Sequence, residues 1–127
     1  MNTIIIDDNP NAQEFLEDLL KMYCQELTVI GKADNIFEGK QLIENLSPEL
    51  VFLDVEMPKG TGFDLLQQLD TIDFNVIFTT AHEKYALRAI KYSALDYLLK
   101  PIEVNELLTA VKKAQTRDEQ QLSQLKV

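Results

Sequence analysis

The residues with chemical potential in this chain close apolar runs. Asp54 follows Leu50-Val51-Phe52-Leu53, Asp7 and Asp8 follow Ile4-Ile5-Ile6, Thr79 and Thr80 follow Val76-Ile77-Phe78, and Lys100 follows Tyr97-Leu98-Leu99. An acid at the tip of a segment otherwise suited to burial carries a desolvation cost, which points to a chemical task. Three carboxylates, a hydroxyl and an ammonium suit a divalent metal and a phosphoryl group. Mg2+ is hard and octahedral and is held by a few carboxylates, waters and phosphate oxygens. Asp8 and Asp54 are read as its direct ligands, Asp7 as the holder of one of its waters, and a backbone carbonyl just past Asp54 as a further ligand. Carboxylates form acyl-phosphates, which makes Asp54 the candidate nucleophile. Lys100 then pairs with phosphoryl oxygens as a point charge, and Thr80 donates its hydroxyl to another oxygen.

These residues must be brought together by the elements they terminate, and strands and helices alternate strictly along the sequence. Asn2 to Ile6 reads as a strand buried on both faces. A helix follows from Ala12 to Tyr23, with Ala12, Phe15, Leu16, Leu19, Leu20 and Tyr23 on one apolar stripe. Leu27 to Ala33 is a weaker strand. Asp34 or Asn35 caps a second helix carrying Phe37, Leu42, Ile43 and Leu46, which Ser47-Pro48 ends. Leu50 to Leu53 is the third strand, and Met57 to Gly62 is a loop by its Pro and Gly content. A helix from Phe63 to Leu69 turns Leu65, Leu66 and Leu69 inward. Val76 to Thr79 is the fourth strand, Lys84 to Tyr92 the fourth helix and Asp96 to Leu99 the fifth strand. The last helix carries Val104, Leu107, Leu108 and Val111 on one face. Such an order predicts an α/β fold of the flavodoxin-like class: a five-stranded parallel sheet in the order 2-1-3-4-5, with five helices on its two faces. Ligands in such sheets bind at the C-terminal strand ends, where the polar residues above are collected.

The 127 residues suit one domain, with 46% hydrophobic and 26% charged residues as in ordinary globular proteins. No apolar run reaches the length of a membrane span, and no signal-peptide pattern opens the sequence. One cysteine, Cys24, has no internal partner, so a reducing cytoplasm is the expected location. A formal net charge of −9 argues against nucleic acid binding by this chain itself, since basic clusters supply most of that affinity.

Over Met1 to Ala114 the chain resembles the receiver domain of two-component response regulators. The matching pieces are Asp7-Asp8, Asp54, the loop from Met57-Pro58 to Gly62, Thr80-Ala81, Tyr97 and Lys100-Pro101. The stretches Thr79 to Ala86 and Ala94 to Ile102 are further similar to the LytTR subgroup, whose members usually join a receiver to a C-terminal DNA-binding domain. The resemblance implies that residues 1–116 are the receiver and that 117–127 extend the last helix or begin a linker to an output domain, with a stand-alone receiver as the alternative. It implies that Asp54 is phosphorylated by a sensor histidine kinase or phosphotransfer protein, that Asp7 and Asp8 with the Glu56 carbonyl hold Mg2+, and that Lys100 and Thr80 contact the phosphoryl group. Thr80 and Tyr97 would be a switch pair, and the Lys100-Pro101 bond would be cis. The face of the fourth helix, fifth strand and fifth helix would change on phosphorylation, for homodimerisation or partner docking. The positions of Glu56 and His82 also suggest that their side chains flank the phosphoryl group and steer water. Two rivals fit less well. An aspartate-nucleophile phosphatase needs Asp-x-Asp after its first strand, which Asp7-Asp8-Asn9 does not offer. A flavin-binding module needs a hydroxyl-rich loop there, and Asp7-Asp8-Asn9-Pro10 repels a bare phosphate.

Overall fold

The computed structural model describes residues 1–125, and side chains as far as Arg117. Five parallel strands form one sheet: β1 (Asn2–Ile6), β2 (Thr28–Ala33), β3 (Leu50–Asp54), β4 (Asn75–Thr80) and β5 (Asp96–Leu99). Their spatial order is β2-β1-β3-β4-β5, as expected. Side-chain alternation splits the core into two layers. Ile4, Ile6, Val51, Leu53, Val76 and Phe78 belong to one, and Ile5, Leu50, Phe52, Ile77 and Leu98 to the other. The first layer is covered by α2 (Ile36–Leu46), α3 (Gly62–Gln67) and α4 (Ala86–Lys91), the second by α1 (Pro10–Tyr23) and α5 (Val104–Leu125). The backbone of α5 thus continues past residue 116, while residues 126 and 127 of the tail lie outside the described residues.

Local chemistry fixes the helix ends. α1 begins two residues before the expected Ala12, because the Asn9 side chain accepts from the N–H groups of Asn11 and Ala12 and Pro10 sits in the first turn. Of the two cap candidates for α2 it is Asn35 whose side chain accepts, from Glu38 N at 2.8 Å. α3 already includes Gly62 and is fixed by a reciprocal cap between Thr61 and Asp64. The expected helix from Lys84 to Tyr92 is divided: a 3-10 turn spans Glu83–Tyr85 and α4 is only six residues long. No side chain caps either piece.

Some residues assigned to inward stripes lie outside. Phe15, Tyr23, Phe37, Leu46 and Leu108 are all exposed. A helix on a flat sheet buries only a narrow strip, and in α1 that strip is Leu16, Leu19 and Leu20, with Phe15 and Tyr23 on its margins. In α2 the closest approach is made by Gly39, where an added Cβ would lie 2.8 Å from Ile6 and 2.9 Å from Leu65. That approach rotates α2 so that Gly39 and Ile43 face the sheet and Phe37 faces outward.

The loop from β3 to α3 folds back onto the strand it leaves. Gly62 N donates to the Val55 carbonyl at 2.9 Å, and a Cβ on Gly62 would stand 2.5 Å from the Asp54 carbonyl oxygen and 2.8 Å from Leu53 Cγ. Backbone cannot yield as a flexible side chain can. Gly62→Ala is therefore expected to lower stability by about 1–3 kcal/mol in denaturant titration; an unchanged midpoint would mean that this close approach is not needed.

Candidate functional site

The sheet register brings the strand ends to one edge. Ile6 pairs with Leu53, Asp54 with Thr79, and Thr80 with Leu99, so the residues just beyond these pairs converge. Asp7, Asp8 and Asp54 each present a carboxylate oxygen within 4.8 Å of the others, a set able to coordinate a metal ion. Asp7 and Asp54 are each only 4% exposed. Lys100 Nζ lies 2.7 Å from Asp7 Oδ2 and 3.3 Å from Asp54 Oδ2. Asp7 is oriented from several sides. Its Oδ1 accepts from Asn9 N at 2.9 Å, its N–H donates to the Ala33 carbonyl at 3.0 Å, and Gln13 Nε2 donates to its carbonyl at 2.6 Å. Lys100 N donates to the Thr80 carbonyl at 2.8 Å, and the following Lys100-Pro101 peptide is cis, as the resemblance implies.

The other expected residues border this cluster. Thr80 is buried, and its hydroxyl accepts from His82 N at 3.2 Å. Alternation sends Thr79 to the opposite face, where it lines a cavity of about 370 Å³ with Asp7, Lys100 and Pro101. Tyr97 is half-buried against the core, with its hydroxyl donating to the His82 carbonyl. The Glu56 carboxylate turns to the β4–α4 segment, accepting from the Tyr85 hydroxyl and lying 3.5 Å from His82 Nε2. Sequence spacing gave no sign of two features: Gln13, which ties β1 to β2 behind the acids through its bonds to Asp7 and Ala33, and Tyr85, bound to a residue 29 positions away. Both pairings are made by tertiary structure. A polar residue on the inner margin of α1 was the single available hint for Gln13.

Three carboxylates share this site with one ammonium. Burial first, then the charge of Asp7, pushes the Asp54 carboxyl up to about 7, with Lys100 opposing the rise. Burial works against the Lys100 ammonium too, but Asp7 and Asp54 outweigh it and hold its pKa above the ordinary value. A residual negative charge in a partly enclosed pocket fits a cation, and hard oxygen donors fit a hard one. The stability consequence follows by linkage. Because the folded pKa of Asp54 lies above the unfolded value near 4, the folded state holds the extra proton, and stability falls as pH rises between the two. In chelator-treated protein at pH ~8, Asp54→Asn should be more stable than wild type by about 2 kcal/mol, with the gap closing as pH drops toward ~4. A gap that stays constant across that range would contradict the assignment.

Comparison with known proteins agrees with this geometry. A family model described as "Response regulator receiver domain" matches residues 3–112. An uncharacterized response regulatory protein of Vibrio vulnificus is 42% identical over 115 residues, covering 89% of this chain and 47% of the relative. Sensory transduction protein LytT of Enterococcus faecalis is 34% identical over 90% of this chain and 48% of its own length. Transcriptional regulatory protein BtsR of Escherichia coli K12 is 34% identical over 98% of this chain and 53% of its own length. The chain thus spans about half the length of the curated relatives it matches. Among solved structures, the response regulatory domain of protein mrkE from Klebsiella pneumoniae superposes with a TM-score of 0.85 at 27% identity, covering 94% of this chain and 99% of that one. Among the described residues no helix is long and apolar enough to cross a membrane. The chain therefore belongs to the response regulator receiver domains, phosphoacceptor switches that act in phosphorelay signalling with sensor kinases and phosphotransfer proteins.

Proposed function

We propose that Asp54 is the phosphoacceptor and that phosphorylation requires Mg2+. The observation that carries this reading is the position of Lys100, whose ammonium lies within 3.3 Å of Asp54 Oδ2 in a pocket that also gathers Asp7 and Asp8. Asp8 and Asp54 would hold the ion directly, Asp7 through water, and the Glu56 carbonyl from the loop. Bound Mg2+ would supply charge neutralisation on the phosphoryl oxygens and relieve the repulsion among the acids. Asp54 would attack phosphorus through an ionised carboxylate oxygen, the form that a cation favours, as the bond from phosphorus to the donor breaks and the donor's imidazole, or acetate from acetyl phosphate, departs. Lys100, already paired with Asp54, would follow the charge onto the new phosphoryl oxygens. Thr80 would exchange its bond from His82 N for one to a phosphoryl oxygen, and Tyr97, on the far side of His82, would respond by moving inward. The exposed Glu56 and His82 side chains would steer water during hydrolysis of the acyl-phosphate.

The output belongs to the same proposal. The relatives named LytT and BtsR are about twice as long as this chain, and BtsR is named a transcriptional regulatory protein. We read the helical backbone of residues 117–125 as the connection to a LytTR-type DNA-binding domain that regulates transcription in the cytoplasm. The 79% exposed Leu87 and 70% exposed Ile90 of α4 support homodimerisation or docking through the α4, β5 and α5 face. A stand-alone receiver acting by protein–protein contact is the alternative, and the gene sequence beyond residue 127 decides between the two.

Incubation with acetyl phosphate and Mg2+ should add one phosphoryl group to the protein by mass, on Asp54. The gain should disappear with chelator or in Asp54→Asn, and should form about a hundredfold more slowly in Lys100→Ala. Sedimentation of the same sample should show a doubled mass if the α4 face dimerises. Phosphoryl gain that persists in Asp54→Asn would refute the assignment, and unchanged mass would refute phosphorylation-driven dimerisation.

A further inference from the structure

The segment from His82 to Ser93 is fastened by polar tethers as well as by packing against the core. In the 3-10 turn and α4 only Ala89 is buried. Beyond Ala89 and the tyrosine rings, its attachments run through tyrosine hydroxyls. Tyr85 donates to the Glu56 carboxylate, Tyr92 accepts from Gln67 Nε2 at 2.8 Å, and Tyr97 of β5 donates to the His82 carbonyl. The rings of Tyr85 and Tyr92 rest near Phe63, at 6.2 and 5.4 Å between centroids.

The Tyr85 tether differs from the others in where it ends. Glu56 lies two residues beyond Asp54, and its second carboxylate oxygen is 3.5 Å from His82 Nε2. His82 in turn donates its backbone N–H to Thr80 Oγ1 at 3.2 Å. Glu56, Tyr85, His82 and Thr80 thus link the end of β3 to the end of β4. Glu56 has an exposed side chain that would rotate freely without an anchor, and Tyr85 is that anchor. For Thr80 to turn toward Asp54 it must release the His82 N–H. The more firmly His82 and the 3-10 turn are held, the less often that happens.

We infer that Tyr85 is a positioning residue whose hydroxyl, seated on Glu56, holds the 83–91 segment in its resting arrangement and so restrains Thr80 from turning toward Asp54. The inference rests on the reading of Asp54 as phosphoacceptor and adds to it a restraint that phosphorylation must overcome. A restraint on the resting state raises the apparent dissociation constant of any phosphoryl mimic, because the binding-competent state is less populated.

Tyr85→Phe keeps the ring against Phe63 and removes only the O–H. In the unphosphorylated 127-residue chain, amide hydrogen exchange over residues 83–91 should quicken about fivefold. Beryllofluoride with Mg2+ should bind the variant about threefold or more tightly than wild type. A merely structural role would speed exchange and leave beryllofluoride affinity unchanged or weaker, and that result overturns the inference, as does unchanged exchange. Glu56→Ala should give the same tightening, and Tyr85→Phe combined with it no more than either alone; additive gains would overturn the link. If wild type itself failed to bind beryllofluoride, the phosphoacceptor reading would fall and the restraint on Thr80 with it. Normal wild-type binding with no gain in the variants would remove only the tether.

Discussion

Lys100 sets one ammonium between two buried carboxylates. Its Nζ is 2.7 Å from Asp7 and 3.3 Å from Asp54, while Asp8 brings a third acid within reach of both. One positive charge does not balance three negative ones. Burial first, and then the charge of Asp7, raises the pKa of Asp54. Every other feature of the site either holds this imbalance in place or answers it. A buried group left partly uncompensated is poised to gain a counter-charge, and oxygen ligands in a partly open pocket favour a hard divalent ion that keeps some of its waters.

The sheet holds the imbalance in place. Parallel pairing aligns the ends of β1, β3, β4 and β5, so residues far apart in sequence become neighbours without long side chains having to reach. Fully buried residues such as Ile6, Phe52, Leu53, Phe78 and Leu50 lock β1, β3 and β4 into the close-packed interior. The loop after Asp54 is pinned by Gly62, and Asp7 by Asn9, Ala33 and Gln13. By contrast, the segment after Thr80 is short in helix, thinly buried and held by hydroxyls. Rigid acids beside a loosely fastened helix are the physical basis for a switch: a change of charge at one edge can move the part that is held least.

The acids, Lys100 and Thr80 were legible in the sequence because each closes a run of apolar residues, and strand ends in a parallel sheet have a fixed destination. The strand order followed from alternating elements and handedness, and the sheet has that order. Helix faces were less legible. Phe15 and Phe37 continue apolar patterns yet point outward, because Leu16, Leu19 and Leu20 already fill the strip under α1 and Gly39 sets the rotation of α2. Periodicity tells which residues share a stripe but not how wide the covered strip is. The division of the fourth helix was hidden for a similar reason. Tyr85 reads as one more helical residue until the fold brings Glu56 to its hydroxyl.

If a divalent cation completes the acid cluster, Mg2+ titration of the unphosphorylated protein will reveal it. Calorimetry or thermal denaturation should show one saturable site in wild type, with a melting temperature that climbs with Mg2+ as linkage requires. Binding should vanish in Asp8→Asn while the fold is retained. A wild-type protein that takes up no Mg2+ at millimolar concentration, or an Asp8→Asn variant that binds it equally well, would contradict the account.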